Sequence, residues 1–276
     1  MSDHIESAAD RSDGAPGTSR TSPAAVRSVS GRIVALLAAF ATSSSGTLTI
    51  TELAHRTGLP LSTVHRLCGQ LAAERLLERM PSGGFRIGLR LWEIGTLAPR
   101  SHGLRELALP FLEDLHDVTR QHVQLMVLDG TEAVVVERLS SHTAVPLESR
   151  SGGRLPLHAT GGGIAMLAFA DEATVRTTVE QGLHRHTPST ITTVAGLETA
   201  MTALRRQGWI ELDGHLTPTA VSIAAPVLLK RGVALGAVSV VVSRGTDSAR
   251  LVPALLTTVR AIARAVSTAR GGPPSR

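Results

Sequence analysis

The sequence predicts an α+β protein in which a small helical domain with a β-hairpin precedes a larger domain built on a mainly antiparallel sheet. At 276 residues the chain is longer than one small helical domain needs, so we expect two domains. The apolar residues first recur at helical spacing and then, at 122–139 and 219–242, at the spacing of strands. These strand segments come in pairs around short turns, which favours an antiparallel sheet with flanking helices over a βαβ repeat.

The segment 49–70, TITELAHRTGLPLSTVHRLCGQ, predicts two short helices joined by a tight turn. Thr49 followed three residues later by Glu52 is a capping-box pattern, so the first helix should open there. Gly58 permits the chain to leave that helix and turn. Pro60 is tolerated only in the first turn of a helix, so the second helix should begin at residue 60 or 61. This is the layout of a helix-turn-helix.

The second helix of this pair has an apolar stripe and an opposite polar face. The stripe recurs at i, i+3, i+4 and i+7 and consists of Val64, Leu67, Cys68 and Leu71. Polar side chains can donate hydrogen bonds to phosphates and base edges, and an arginine matches guanine in the major groove. We therefore expect this helix to bind DNA, although a polar face can also simply contact solvent. The DNA-binding set that we predict is Thr49, Leu61, Ser62, Thr63, His65, Arg66, Gln70 and, from the hairpin that follows, Arg86.

The flanks of the helix pair support this interpretation. Upstream, an apolar stripe over 29–40 predicts a third helix. Downstream, short extended segments on either side of the turn-rich 80–84 predict a wing, whose Arg79 and Arg86 would lie near the DNA backbone or minor groove. From residue 20 to residue 100 there are ten arginines and four glutamates, a net charge of +6, whereas the whole chain carries +5. The positive charge is thus concentrated where a polyanion would bind.

Composition excludes several classes of protein. The chain has one cysteine, Cys68, so an intramolecular disulfide and a cysteine-based metal cluster are excluded, and its place on the apolar stripe favours a packed thiol over a redox sensor. Residues 1–22 are rich in Ser, Asp and Gly, which predicts a disordered tail without the apolar segment of a signal peptide. We find no uninterrupted apolar run of membrane-spanning length. We expect a cytoplasmic protein with no cofactor and no membrane partner.

The second domain is predicted to begin at residue 103, after a linker helix over 89–102. An antiparallel sheet flanked by helices, as expected for this domain, commonly forms one wall of a small-molecule pocket. In order, we expect a helix bent at Pro110, a hairpin over 122–139, a third strand at 144–148, a glycine-rich loop over 151–163, helices over 160–170 and 196–207, strands over 219–229 and 233–242, and a long closing helix. The predicted boundaries are a disordered tail at 1–22, a winged helix-turn-helix at 23–88, the linker, the second domain at 103–270 and a disordered tail at 271–276.

Five motifs together resemble the isocitrate lyase regulator (IclR) family of bacterial transcription regulators, over roughly residues 26–266. They are LTITELAHRTGLPLSTVHRL, GGFRIGLRLWEIG, RLPLHATGGG, the GW pair at 208–209 and IAAPVLLKRGVALGAVSV. The resemblance implies a winged helix-turn-helix followed by a GAF-like effector domain. It also implies a DNA-binding repressor that acts as a homodimer or homotetramer on a pseudo-palindromic operator in double-stranded DNA. Its effector would be a small metabolite, often an organic acid.

The resemblance also implies an effector-binding set. Thr160, Gly161, Gly162, Asp213, Ser222 and Ser239 match the positions that border the family's effector pocket. Glycine amides at the start of a helix and serine hydroxyls can bind a carboxylate, which makes the set chemically reasonable. The alternative is that the glycines of this loop only permit close packing of a helix.

Two other functions compete with a ligand-responsive regulator. An enzyme could use His158 with Ser151 or Ser222, but a catalytic triad needs three groups in contact and the chain has no nucleophile-elbow sequence G-x-S-x-G. We therefore expect no enzymatic activity. The second alternative is a DNA-binding protein whose C-terminal domain dimerises but binds no effector.

Overall fold

The computed structural model of the chain describes residues 28–43, 45–97, 99–141, 145, 147, 149–229 and 232–271. Within these ranges the elements form a three-stranded and a six-stranded sheet with α-helices around both. The predicted tail at 1–22 lies outside the described residues, as does the predicted tail at 271–276 beyond its first residue. The predicted strand at 144–148 lies mostly outside them too, and its described residues Val145 and Leu147 are not in a strand.

Three helices form the core of the N-terminal domain: α1 (Val29–Ala39), α2 (Ile50–Thr57) and α3 (Leu61–Ala73). The capping box is confirmed, since the Thr49 hydroxyl accepts from the amide of Glu52 and the Glu52 carboxylate accepts from the amide of Thr49. The turn is confirmed as well, because Gly58 ends α2 in the left-handed conformation at φ +67°. The predicted apolar stripe of α3 is entirely buried: Val64, Leu67, Cys68 and Leu71.

A small antiparallel sheet completes this domain. Its strands are β1 (Thr47–Leu48), β2 (Leu77–Arg79) and β3 (Phe85–Ile87), in the order β1-β3-β2. The predicted wing is therefore confirmed as the β2–β3 hairpin. The sequence does not predict β1, because a strand of two residues is too short for an apolar period to be detected. Phe85 is fully buried under the hairpin, so the wing is fixed to the helical core.

Two helices connect the domains: α4 (Leu89–Gly95) and α5 (Pro99–Thr119). The second of them begins at Pro99, four residues before the predicted start, and so takes in the end of the predicted linker. A proline suits the first turn of a helix because the amide it lacks would have no partner there. Pro110 lies inside α5, as expected.

The large sheet carries the C-terminal domain, and each of its described strand pairs is antiparallel. The strand order is β6-β5-β4-β9-β8-β7. The predicted α+β fold class with a mainly antiparallel sheet is therefore confirmed. Two short strands were not predicted, β6 and β7. In chain order the strands are β4 (His122–Asp129), β5 (Glu132–Leu139), β6 (Arg154–Pro156), β7 (Ile210–Asp213), β8 (Ala220–Leu228) and β9 (Ala234–Ser243).

Helices cover both faces of this sheet. On one face lie α6 (Gly161–Leu167) and α8 (Val194–Gln207), with α7 (Glu172–Glu180) beside them; on the other lie α5 and α9 (Val252–Gly271). The sequence does not predict α7, because its residues are mostly polar. By length and composition alone the segment Ser248–Ala269 could cross a membrane. In this fold, however, Leu255 and Ile262 of that segment are fully buried in the domain core.

Glycines let α6 lie unusually close to the sheet. A Cβ atom on Gly161 would lie 2.8 Å from the Oγ of Ser222, and one on Gly162 would lie 2.8 Å from the Sδ of Met126. A Cβ on Gly163 would overlap the backbone of Leu157 and lie 2.5 Å from the Thr160 hydroxyl. The packing alternative considered for this loop is thus supported at all three glycines.

Substituting Gly163 should therefore destabilise the C-terminal domain. We expect Gly163→Ala to lower the free energy of unfolding by about 3 kcal/mol, at the upper end of overpacking costs, because the backbone of Leu157 cannot move aside cheaply. Gly103→Ala in α5 is the control, since its Cβ would meet nothing within 4 Å and alanine favours a helix. Urea unfolding followed by circular dichroism measures both. Equal stability of the two variants would contradict this account of the loop.

The single thiol should be inert in the folded chain. Burial raises the pKa of Cys68 to about 11, so at pH 8 the reactive thiolate is scarce and no surface is open to a reagent. We expect Ellman's reagent to modify Cys68 only as fast as the N-terminal domain unfolds, and at full rate in denaturant. Rapid labelling under native conditions would show that the α3 stripe is not packed as described.

Candidate DNA interface and effector site

The polar face of α3 is open to solvent. Ser62, His65, Arg66 and Gln70 are exposed, and Thr63 is half-buried. The guanidinium Nη1 of Arg66 donates to the Gln70 side-chain oxygen at 3.3 Å, so these two side chains, four residues apart, form one surface. Because the opposite face of α3 is buried, the helix cannot rotate so as to bury its polar face. The structure thus brings together the central residues of the predicted DNA-binding set.

Thr49 and Leu61 lie at the starts of α2 and α3. The Thr49 hydroxyl is committed to the capping box, where it also donates to the Glu52 carboxylate at 2.8 Å. Hydrogen bonds from Thr49 keep the pKa of Glu52 below its ordinary value, so a negative charge stays at that helix start. Leu61 is 55% exposed although it is apolar. An exposed leucine at this position is suited to contact with a thymine methyl group.

The arginines of the wing already have partners in the free chain. The side chain of Arg86 forms an ion pair with Glu78, with Nη2 2.6 Å from a carboxylate oxygen, and this contact lowers the pKa of Glu78. Arg79 stacks over Phe85 with 5.0 Å between the guanidinium carbon and the ring centre. Arg86 is therefore exposed but locally neutralised, which weakens the attraction it offers to a phosphate.

Ser222 and Ser239 lie on the same face of the large sheet. In the strand register Ser222 is opposite Val241, and Ser239 is opposite Gln124 on one side and Ala224 on the other. Directly opposed residues share a face, so both serines belong to the face that α6 covers, which we call the inner face. Gly161 and Gly162 contact this face from above, and Thr160 caps α6, with its hydroxyl accepting from the amide of Gly163.

Asp213 is not brought together with the other five predicted effector residues. It is exposed and opposite Val221, whose side chain lies in the core on the other face of the sheet. Its carboxylate forms an ion pair with the Nε of Arg244 at 2.7 Å. Side chains alternate between the two faces along a strand, so the side chain of Asp213 lies on the face opposite to the inner face.

The inner face carries polar residues that the prediction from sequence missed. His122 and Gln124 are buried in β4, and Arg138 of β5 lies opposite Gln124. All three bind the segment after β5: His122 contacts the carbonyl of Val145, while Gln124 and Arg138 donate to Ser149. The pattern in the sequence that could have identified them is the alternation of His122 and Gln124 within an otherwise apolar strand, because buried polar residues are uncommon.

The enzyme alternative gains no support from the position of His158. This histidine is buried, its Nε2 lies 2.9 Å from the carbonyl oxygen of His184, and its ring packs against that of His186. Burial lowers the pKa of His158. The ring thus contacts backbone and another histidine rather than a serine, and its role is to hold the loop after α7.

Two family models match the chain in the two parts that the fold separates. The model of the IclR helix-turn-helix domain matches residues 31–81, and that of the bacterial transcriptional regulator IclR C-terminal domain matches residues 97–268. Among curated proteins, the regulator XynR of Escherichia coli K12 is 34% identical over 185 residues, which cover 65% of this chain and 72% of XynR. The transcriptional repressor IclR of the same organism is 29% identical over 170 residues, 60% of this chain and 62% of the repressor's own length.

Solved structures agree with the family models. An IclR homologue from Microbacterium hydrocarbonoxydans, crystallised with 4-hydroxybenzoate, superposes with a TM-score of 0.78 at 31% identity and covers 86% of this chain and 98% of its own. A transcriptional regulator from Rhodococcus sp. RHA1 gives 0.72 at 26% identity, with coverages of 86% and 97%. The resemblance seen in the five motifs is confirmed, and the chain belongs to the IclR family of bacterial transcriptional regulators, which are DNA-binding proteins and not enzymes.

Proposed function

We propose that this chain is a cytoplasmic repressor that binds a pseudo-palindromic operator as a homodimer or homotetramer and responds to a small organic acid. The observation that carries the proposal is the polar face of α3, which is exposed while the opposite stripe is fully buried. Repressors among the relatives support the direction of control. We keep the domain boundaries at residues 23–88, 89–102 and 103–270 as part of the proposal.

Direct contact with base edges is assigned to the centre of the α3 face, namely Ser62, His65, Arg66 and Gln70. Arg66 is the strongest candidate because a guanidinium fork can bind guanine through two hydrogen bonds. Leu61 and Thr63 would contact the groove wall at the start of α3. Thr49 and Arg86 are assigned weaker, backbone-directed contacts because Glu52 and Glu78 already engage them.

One recognition helix per protomer contacts too few base pairs to find an operator alone. Two copies related by a twofold axis would double the contact, provided that their spacing matches the helical repeat of DNA. An effector then acts if it binds the DNA-competent arrangement with a different affinity from the incompetent one. This is the mechanism that we propose for release of the operator.

The effector site is assigned to the inner face of the large sheet, bordered by Thr160, Gly161, Gly162, Ser222 and Ser239. The buried polar side chains His122, Gln124 and Ser239 lie on that face, and a few polar groups in apolar surroundings are typical of a specific ligand site. The 4-hydroxybenzoate bound to the Microbacterium homologue supports an organic acid as the ligand. Asp213 is left out of the site because its side chain lies on the opposite face with Arg244.

Replacing Arg66 should weaken operator binding selectively. Loss of a bidentate base contact costs about 1–3 kcal/mol, so we expect Arg66→Ala to raise the operator Kd by about tenfold or more at matched salt. The measurement is fluorescence anisotropy with DNA from upstream of the chain's own gene, compared with scrambled DNA. Arg176→Ala, which removes an exposed charge from α7, is the control and should bind like wild type. Equal operator affinity of Arg66→Ala and wild type would contradict the assigned contact.

Removing the Ser222 hydroxyl should weaken effector binding and leave operator binding unchanged. We expect Ser222→Ala to bind the operator normally and to lose most of the thermal stabilisation given by small carboxylic acids, because at a fixed ligand concentration the stabilisation falls as the ligand's Kd rises. Ser267→Ala on α9 removes a hydroxyl on the other side of the sheet and should respond like wild type. If small carboxylic acids raise the melting temperatures of Ser222→Ala and wild type equally, the effector site lies elsewhere.

A further inference from the structure

Two buried polar atoms on the inner face have no hydrogen-bond partner among the described residues. They are the Nδ1 of His122 and the Nε of Arg138. Leaving such an atom unpaired in a protein interior is costly, so each one calls for an explanation. Each atom belongs to a side chain that another nitrogen holds in place: the Nε2 of His122 contacts the carbonyl of Val145, and a terminal nitrogen of Arg138 donates to the carbonyl of Ser149.

His122 offers a hydrogen-bond acceptor. Its Nε2 lies 2.6 Å from the carbonyl oxygen of Val145, and a carbonyl only accepts, so the proton of the neutral ring is on Nε2. Burial, with help from the charge of Arg138, lowers the pKa of His122 below its ordinary value of 6.5, so the ring is neutral at pH 7. The unpaired Nδ1 is therefore a bare lone pair. The residue is only 4% exposed, so water does not readily reach it.

Arg138 offers a hydrogen-bond donor and an unbalanced positive charge. One guanidinium nitrogen donates to the carbonyl of Ser149, and the Nε–H remains unused. The neighbouring carboxylate is not its partner, because Glu137 points to the other face and forms an ion pair with Arg105 at 2.5 Å. Burial lowers the pKa of Arg138, but an arginine stays charged at pH 7. No carboxylate among the described residues forms an ion pair with Arg138, and a partly desolvated cation of this kind favours the entry of an anion.

Both side chains lie on the same face of the sheet as the serines already assigned to the effector site. Arg138 lies opposite Gln124 in the ladder, and His122 is two residues along β4 on the same face. Gln124 in turn accepts from the hydroxyl of Ser239 at 3.5 Å. Diagonal neighbours on a sheet face are within reach of one small molecule. The unused donor and the unused acceptor therefore belong to one site with Ser239.

We propose that the effector is a hydroxy acid, whose carboxylate accepts from the Nε–H of Arg138 and whose hydroxyl donates to the Nδ1 of His122. This inference rests on the proposed effector function and narrows it from organic acids in general. A second carboxylate in place of the hydroxyl is disfavoured, since it would face a lone pair with no proton to share. A ligand with an amino group in place of the carboxylate is disfavoured by the charge of Arg138.

The experiment compares matched ligands on the full chain without DNA. There are two series, each with a hydroxy acid, the acid without the hydroxyl and the amide without the carboxylate. The aromatic series is 4-hydroxybenzoate, benzoate and 4-hydroxybenzamide, and the aliphatic series is glycolate, acetate and glycolamide. Binding is measured by thermal shift and calorimetry. In at least one series we expect the hydroxy acid to bind at least about tenfold more tightly than both analogues, because a site that hydrogen-bonds a group discriminates against its loss. If neither series shows this preference, the inference is wrong.

Variants test the two assigned atoms. Arg138→Gln should bind the hydroxy acid no better than its amide, whereas Arg138→Lys should keep a preference for the carboxylate. His122→Phe should bind the hydroxy acid no better than the acid without the hydroxyl. An Arg138→Gln variant that discriminates like wild type would overturn the assignment.

A purely structural role for these residues predicts a different pattern. Ser149→Ala loosens the same segment, because the Ser149 hydroxyl accepts from Gln124 at 2.6 Å, but leaves both unused atoms in place. We expect this variant to discriminate among the ligands like wild type. If it loses discrimination to the same extent as Arg138→Gln, the residues only hold the segment and the inference fails. Operator binding is measured separately, so failure of the proposed function would appear there and not in the ligand series.

Discussion

The burial of one side of α3 determines which side chains the N-terminal domain can present to DNA. Val64 and Cys68 are fully buried against α1, α2 and the wing, and this fixes the rotation of the helix about its own axis. Each buried aliphatic side chain stabilises that rotation by about 1.5–3 kcal/mol. The polar residues on the opposite side are therefore held in a rigid array rather than displayed on a mobile segment. A rigid array is what base-specific recognition requires, because a hydrogen bond to a base edge depends on direction as well as distance.

The large sheet of the C-terminal domain also has two different faces. It packs an apolar face against α5 and α9 and carries the buried polar residues His122, Gln124 and Ser239 on the inner face. Glycines at its start allow α6 to lie close to that face. The polar groups there also bind the segment that follows β5. A ligand at the inner face would therefore touch both the rigid sheet and a connecting segment, which is the kind of arrangement through which binding can shift a conformational equilibrium.

The parts that could be predicted from the sequence are those governed by local rules. The capping box at Thr49, the left-handed Gly58 and the stripe of α3 each depend on residues within one or two turns of helix, and all are confirmed. Short or polar elements such as β1 and α7 could not be predicted, because their residues show no apolar period and tertiary packing decides their structure.

The candidate sites were predictable to different degrees for the same reason. The predicted DNA-binding face lies mainly on one helix, α3, so the structure brings its central residues together. The proposed effector site depends on register between strands far apart in sequence, where a shift of one residue moves a side chain to the other face. That is why Asp213 lies away from the serines and why His122 and Arg138, which no motif marks, lie on the same face as the serines.

The most direct test of the central claim is a footprint of the full chain on DNA from upstream of its own gene, at several salt concentrations. We expect protection of a pseudo-palindromic site whose two half-sites lie one helical turn, about 10 base pairs, or a multiple of it apart. We also expect the preference for this site over scrambled DNA to persist as salt weakens the contribution of the phosphates. Binding that is equal on both DNAs at every salt concentration would show that the exposed side of α3 provides only charge, and would contradict the account.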